Sequence, residues 1–425
     1  MRHYLLISLC LILSACSISV TEHRLPYDAN TNAVANKNQG FSKGRLQNID
    51  TKMQRYIDEG KLAGISTLVA RNGEVVHAST LGMQDRAAGL KLQKDTIFRI
   101  YSMTKPVTAV AALQLWEQGK FHMNDPIAWY IPELANLKVY VSGSGDDMVL
   151  EDANAPIRII DLFMHTAGFS YGFTGSEVDN LYRASPMTQG KVKAEDVMSE
   201  LAKLPLNHQP GTQWHYGVNT DVIGALVERL SGMKLGEYMQ KNIFVPLRMT
   251  DTGFSVAPDK AHRLAQIYSS DKNGNTVPME NEPLGDFLSD PEVHNGGGGL
   301  VSTMDDYLTF AQMLLNGGEI NGVRILGRKT VEYMTSNHLP ADLVPYAANA
   351  LGEGYGLAVS VTVDEGQSRF LSSEGNFGWG GAASTYFRVD PKENLIIIGM
   401  AQFVPIGTHR YHDDLRNLVY QALID

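Results

Sequence analysis

The chain has 425 residues, 44% of them hydrophobic and 19% charged, which is enough apolar content for a large core and argues against wholesale disorder. Its formal net charge of −10, with no basic stripe to offset it, argues against nucleic acid as a partner. Both cysteines, Cys10 and Cys16, lie near the N-terminus, so the folded part offers no disulfide, cysteine metal site or cysteine nucleophile.

In chain order, Arg2 and His3 precede an apolar stretch over 4–13 that is too short to span a bilayer comfortably. Leu13-Ser14-Ala15-Cys16 resembles a bacterial lipobox. It predicts a signal peptide over 1–15, a lipid on Cys16 and a lipoprotein of the cell envelope. Ser17 rather than Asp after the cysteine points to the outer membrane, facing the periplasm; an ordinary secretory signal cut nearby is the alternative. Residues 16–43 read as a polar tether. Leu46, Ile49, Met53, Tyr56 and Ile57 then mark one apolar helical face, ended at Gly60. Apolar runs at 65–70 and 75–78 flank Asn72-Gly73, a strong hairpin signal. A further helix is predicted from Ser102, closed by Gly119.

From 125 to 290 helical patterns such as 194–204 and 221–230 alternate with loops, and strands are few. A helix over 305–315, strand-like runs at 355–363, 383–389 and 395–401, and a final helix over 413–424 follow. Strand-rich material thus lies at both ends. The expected fold is α+β, an antiparallel sheet with flanking helices over 44–124 and 291–425, beside an all-helical domain over 125–290. Ser102 falls where these units meet, a usual place for a cleft.

The chemistry-bearing stretch is Ser102-Met103-Thr104-Lys105. A serine and a lysine three positions apart share one helix face, so the amine can reach the hydroxyl. Serine is a weak nucleophile and needs such a base. An ordinary lysine, with pKa about 10.4, is protonated at neutral pH, so burial and the helix dipole must favour the neutral amine. Two further elements accompany it: Trp214-His215-Tyr216-Gly217-Val218-Asn219 ahead of a helical run, and Phe377-Gly378-Trp379-Gly380-Gly381-Ala382 entering a strand. Taken alone, Tyr216 reads equally as a packed ring, and the glycines as a turn.

In this order and spacing the three elements resemble the serine β-lactamase and penicillin-binding-protein superfamily, and within it class C β-lactamases and family VIII carboxylesterases. The resemblance covers about 45–425 and includes Met164-His165-Thr166-Ala167-Gly168 and Gly296-Gly297-Gly298-Gly299-Leu300. It implies that Ser102 is the acylated nucleophile and that Lys105 is the base, alone or shared with Tyr216. Tyr216 would pass the proton to the leaving group. The backbone N–H groups of Ser102 and Ala382 would form the oxyanion hole, and Trp379, Gly380 and Gly381 would bind substrate. Two departures stand out. Asn219 comes one place later than the family's asparagine, and Trp379 replaces the lysine that attracts a substrate carboxylate. A neutral indole favours an uncharged ester, so the expectation is a carboxylesterase of small acyl esters that needs neither cofactor nor metal. The alternatives are a β-lactamase, D-amino-acid peptidase or acyl transferase, or a non-catalytic envelope protein that binds peptidoglycan or a partner.

Other motifs have weaker readings. Gly168-Phe169-Ser170-Tyr171-Gly172 matches the nucleophile-elbow string, but that device needs a preceding strand, whereas 159–164 reads as helix. His165, His215 and His294 read as local hydrogen-bonding residues. His409 and His412 lack a third metal ligand and read as a solvated helix start. Gly296 to Gly299 reads as a flexible turn, Asp146-Asp147 as loop and Asp305-Asp306 as helix-cap carboxylates.

Overall fold

Strand Leu395–Met400 is apolar at every position but Gly399, as a strand covered on both faces must be. Ile396 and Ile398 pack into one core with Leu68, Ala70, Phe387 and Val389, while Leu395 and Ile397 face the other way with Ile65, Val69 and Val76. Helices Thr104–Glu117 and Met304–Leu315 cover the first face; Lys43–Asp58 and Tyr411–Tyr420 cover the second. The structure is a computed structural model and describes residues 38–187, 191–280, 282 and 284–425. The expected signal peptide, Cys16 and the expected tether through residue 37 lie outside the described residues.

The main sheet is antiparallel, in the order Glu353–Tyr355, Ser360–Thr362, Phe377–Gly381, Thr385–Asp390, Leu395–Met400, Gly64–Arg71, Glu74–Asp85, Leu90–Lys91. Ser66 lies opposite Met400 and Arg71 opposite Leu395, so the two ends of the chain meet at the centre of the sheet. At the hairpin turn Asn72 and Gly73 both have positive φ, 53° and 79°, as a type I′ turn requires. The fold is mixed α+β, as expected.

Two readings are corrected. Residues 38–43 are not tether: Phe41 is fully buried and bridges to Leu423. The segment 125–290 is not purely helical. Alongside Ile159–Phe163, Glu177–Ala184, Val197–Leu201 and Asn219–Ser231 it holds the hairpin Lys138–Ser142/Val149–Asp152. It also holds Tyr268–Ser270 paired with Thr276–Pro278, joined to the C-terminal strand Phe403–Val404. The first hairpin is mostly exposed, with only Val139 buried, so no period-2 burial pattern marks it. No helix among the described residues is long and apolar enough to cross a membrane.

Candidate active site

Ser102 lies in a single 3-10 turn, Tyr101–Met103, that runs straight into helix Thr104–Glu117. The turn is held from several directions. Strand Phe98–Arg99 pairs with Val301–Ser302, Ile100 N–H donates to the Leu300 carbonyl at 3.0 Å, and Tyr307 Oη donates to the Met103 carbonyl at 2.9 Å. Tyr101 adopts φ 40°, a left-handed conformation that costs an L side chain of order 1 kcal/mol or more. Its ring is buried edge-on against Phe287, which holds it there. The half-buried Ser102 is thereby presented at the start of the helix.

Lys105 sits in the first helical turn, 1% exposed. Its Nζ lies 3.2 Å from Ser102 Oγ and donates to the Gly297 carbonyl at 2.6 Å. Two ring faces lie close by: Nζ is 4.6 Å from the Tyr216 ring centre and 5.0 Å from that of Tyr171. The Tyr216 hydroxyl accepts from the Trp379 indole N–H at 3.2 Å. The structure thus brings Ser102, Lys105, Tyr216 and Trp379 together. Strand Phe377–Gly381 presses on the serine turn. A Cβ on Gly381 would stand 2.2 Å from the Ile100 carbonyl oxygen, so only glycine fits. A Cβ on Gly380 would meet Ile406 Cδ1 at 2.9 Å. Ala382 follows at the strand end.

Four residues beside these carry more of the geometry than their sequence patterns show. Gly297, read as part of a flexible turn, is tightly packed. Its carbonyl receives Lys105, its N–H donates to Asp221 Oδ1 at 2.9 Å, and a Cβ would meet Tyr171 Oη at 2.2 Å and Asp221 Oδ2 at 2.5 Å. Asp221 also accepts from Tyr171 Oη at 3.0 Å. Burial raises its carboxyl pKa, opposed by the Lys105 charge and by these hydrogen bonds. His165 is fully buried, 4.8 Å from the Tyr216 ring, and its Nδ1 accepts from the Asn219 side-chain amide at 2.8 Å. Burial, and then the Lys105 charge, push this imidazole well below its usual pKa, so it is neutral and acts as an acceptor. Asn219 is thus turned to His165. The advance signals for Gly297 and Asp221 were the four consecutive glycines and the position of Asp221 just after the tyrosine motif.

Ser170 lies elsewhere in chemical terms. It is fully buried, donates to the Asp179 carboxylate and accepts from Gly172 N–H at 2.9 Å. Helix Ile159–Phe163, not a strand, precedes it. His215 contacts the Asn207 side chain, and His294 binds Gly236 N–H and Asp290. His412 is not simply solvated: its ring stacks on Tyr386, 5.0 Å between centres. Among the described residues no cluster of three or more metal-ligating side chains occurs.

The Beta-lactamase family model matches residues 49–421. Protein Rv1367c of Mycobacterium tuberculosis is 36% identical over 370 residues, covering 85% of this chain and 90% of that protein. Lovastatin esterase of Penicillium rubens is 30% identical over 385 residues, covering 84% and 92%. The solved structure of EstCE1, described as a hydrolase with promiscuous acyltransferase activity, superposes with a TM-score of 0.75 at 26% identity, covering 89% of this chain and 98% of that one.

Proposed function

Since this chain belongs to the Beta-lactamase family, we propose that it hydrolyses uncharged carboxylic esters through an acyl-enzyme on Ser102. The observation that carries the reading is the buried Lys105 amine, 3.2 Å from the Ser102 hydroxyl. In the neutral form it accepts the Oγ proton as Oγ attacks the ester carbonyl. The oxyanion is received by the N–H groups of Ser102 and Ala382, donors of a kind worth about 3 kcal/mol each. As the C–O bond breaks, Tyr216 gives its proton to the departing alcohol and regains one from Lys105. Water then attacks the acyl-enzyme by the same route in reverse, releasing the acid and restoring Ser102.

Trp379 supports ester over β-lactam or D-amino-acid peptide: its indole occupies the place of a carboxylate-binding cation and donates to Tyr216. Acyl transfer to an alcohol in place of water is the second reading, favoured by the likeness to EstCE1. We further propose that the enzyme is lipidated on Cys16 and held in the bacterial envelope facing the periplasm, a reading that the lipobox-like Leu13-Ser14-Ala15-Cys16 supports. Labelled palmitate incorporated by the wild type and not by Cys16→Ser checks this.

A fluorophosphonate probe should label the wild type and Ser170→Ala but not Ser102→Ala; the opposite pattern refutes the nucleophile. Lys105→Ala should slow acylation by about 10² or more. Faster turnover of nitrocefin than of p-nitrophenyl butyrate would overturn the ester preference.

A further inference from the structure

One side of the site is built of aromatic rings. Tyr171 faces the Lys105 amine and lies 5.3 Å from the Tyr216 ring. Phe173 stacks on Tyr171, with centres 5.3 Å apart and planes 23° from parallel. Phe173 is nevertheless 74% exposed. Lone exposed apolar side chains are common, but this one is coupled ring to ring with a residue in contact with the candidate base.

Its exposure does not come from a loose loop. Tyr171 is tethered by its hydroxyl to the buried Asp221 carboxylate at 3.0 Å. On either side of Phe173, Gly172 N–H donates to Ser170 Oγ at 2.9 Å, and the N–H groups of Thr174 and Gly175 donate to Asp179 at 2.5 and 2.8 Å. The Gly172 carbonyl also receives Arg183. The phenyl ring is therefore held with one face against Tyr171. A flat apolar group approaching the open side of Phe173 would find a ring face to stack on.

We propose that Tyr171 and Phe173 form a stacking platform for an aromatic group on the alcohol side of the substrate, making arylmethyl esters preferred over saturated esters of the same size. The inference rests on the ester-hydrolase reading. In that reading Tyr216 protonates the departing oxygen, and Tyr171 touches Tyr216, so the ladder of rings begins where the alcohol leaves. Offset stacking on a fixed ring favours a phenyl over a cyclohexyl group by about threefold to tenfold.

Benzyl acetate and cyclohexylmethyl acetate test this, because both pass through one acetyl-enzyme and differ only in the alcohol. The ratio of their kcat/KM values, normalised to their rates in dilute hydroxide, should be about fivefold for the wild type and for Phe173→Trp. It should fall to near one for Phe173→Leu, which keeps apolar bulk but no ring. Equal normalised values in the wild type, or a ratio unchanged in Phe173→Leu, overturn the inference while the ester-hydrolase reading stands. If neither acetate is turned over and the fluorophosphonate leaves Ser102 unlabelled, both fall together.

Discussion

Lys105 is buried beside a carbonyl, a hydroxyl and two ring faces, within reach of the Asp221 charge, and the carbonyl belongs to a tightly packed glycine. A methyl group at Gly297 overlaps the Tyr171 hydroxyl and the Asp221 carboxylate, so these side chains or the loop must shift beside the lysine. Gly297→Ala should therefore cut kcat/KM for a small ester by about 10² through misplacement of the base. Far-ultraviolet circular dichroism should stay unchanged; retention of the wild-type rate would show that Gly297 does not position Lys105. The Ser102 and Lys105 pair could be read ahead of the structure because three positions along one helix is a local relation. The rest of the site is not local. Lys105 meets Gly297 across 192 positions, Asp221 meets Gly297 across 76, and His165 meets Asn219 across 54. No periodicity encodes such meetings, and a glycine run reads as a turn until its neighbours are known.

Elements show the same division. The hairpin at Asn72 and Gly73 is legible because its turn demands positive φ and its strands are buried, whereas the exposed hairpin over 138–152 leaves no such trace. Helix Met304–Leu315 is capped not by Asp305 or Asp306 but by Thr303, whose hydroxyl accepts from Asp306 N–H at 3.3 Å, and the two aspartates lie in its first turn. Asp306 does more than meet a helix dipole. Its carboxylate accepts from Asp251 N–H and Thr252 Oγ1, both at 2.8 Å, and fastens the helix to the turn that follows Thr250. Burial, only partly offset by these donors, raises its carboxyl from 3.8 to about 6. The native state thus holds this proton more tightly than the unfolded chain. The stability it contributes is full below the unfolded value and is lost as pH rises through about 6. Asp306→Asn removes the titration, so the variant should gain about 2 kcal/mol on the wild type between pH 4 and pH 7, measured by urea unfolding at each pH. An unchanged difference across that range would contradict the assignment.

At the scale of the molecule, the strand pairing at the sheet centre is reinforced by one side chain. Arg71, 8% exposed, donates to the Glu393 carbonyl at 3.0 Å, the Glu393 carboxylate at 2.8 Å, and the Gln39 carbonyl and Asp425 carboxylate at 2.9 Å each. Arg71→Ala should cost about 2 kcal/mol, since it leaves several acceptors without their donor. A lower melting temperature with normal Ser102 labelling at 25 °C is the expected result; an unaltered melting temperature would show the clamp to be ornamental. That both ends complete one sheet was readable from where the apolar runs lie. The same closure has a practical consequence. Ser42 N–H donates to the Ala422 carbonyl at 2.8 Å, and Ile424 N–H to the Gly40 carbonyl at 2.9 Å, so the two segments run side by side. A short glycine linker could splice them, and new ends could be cut at the exposed tip Gly145–Asp147. Such a circular permutant would keep every strand of the main sheet in register.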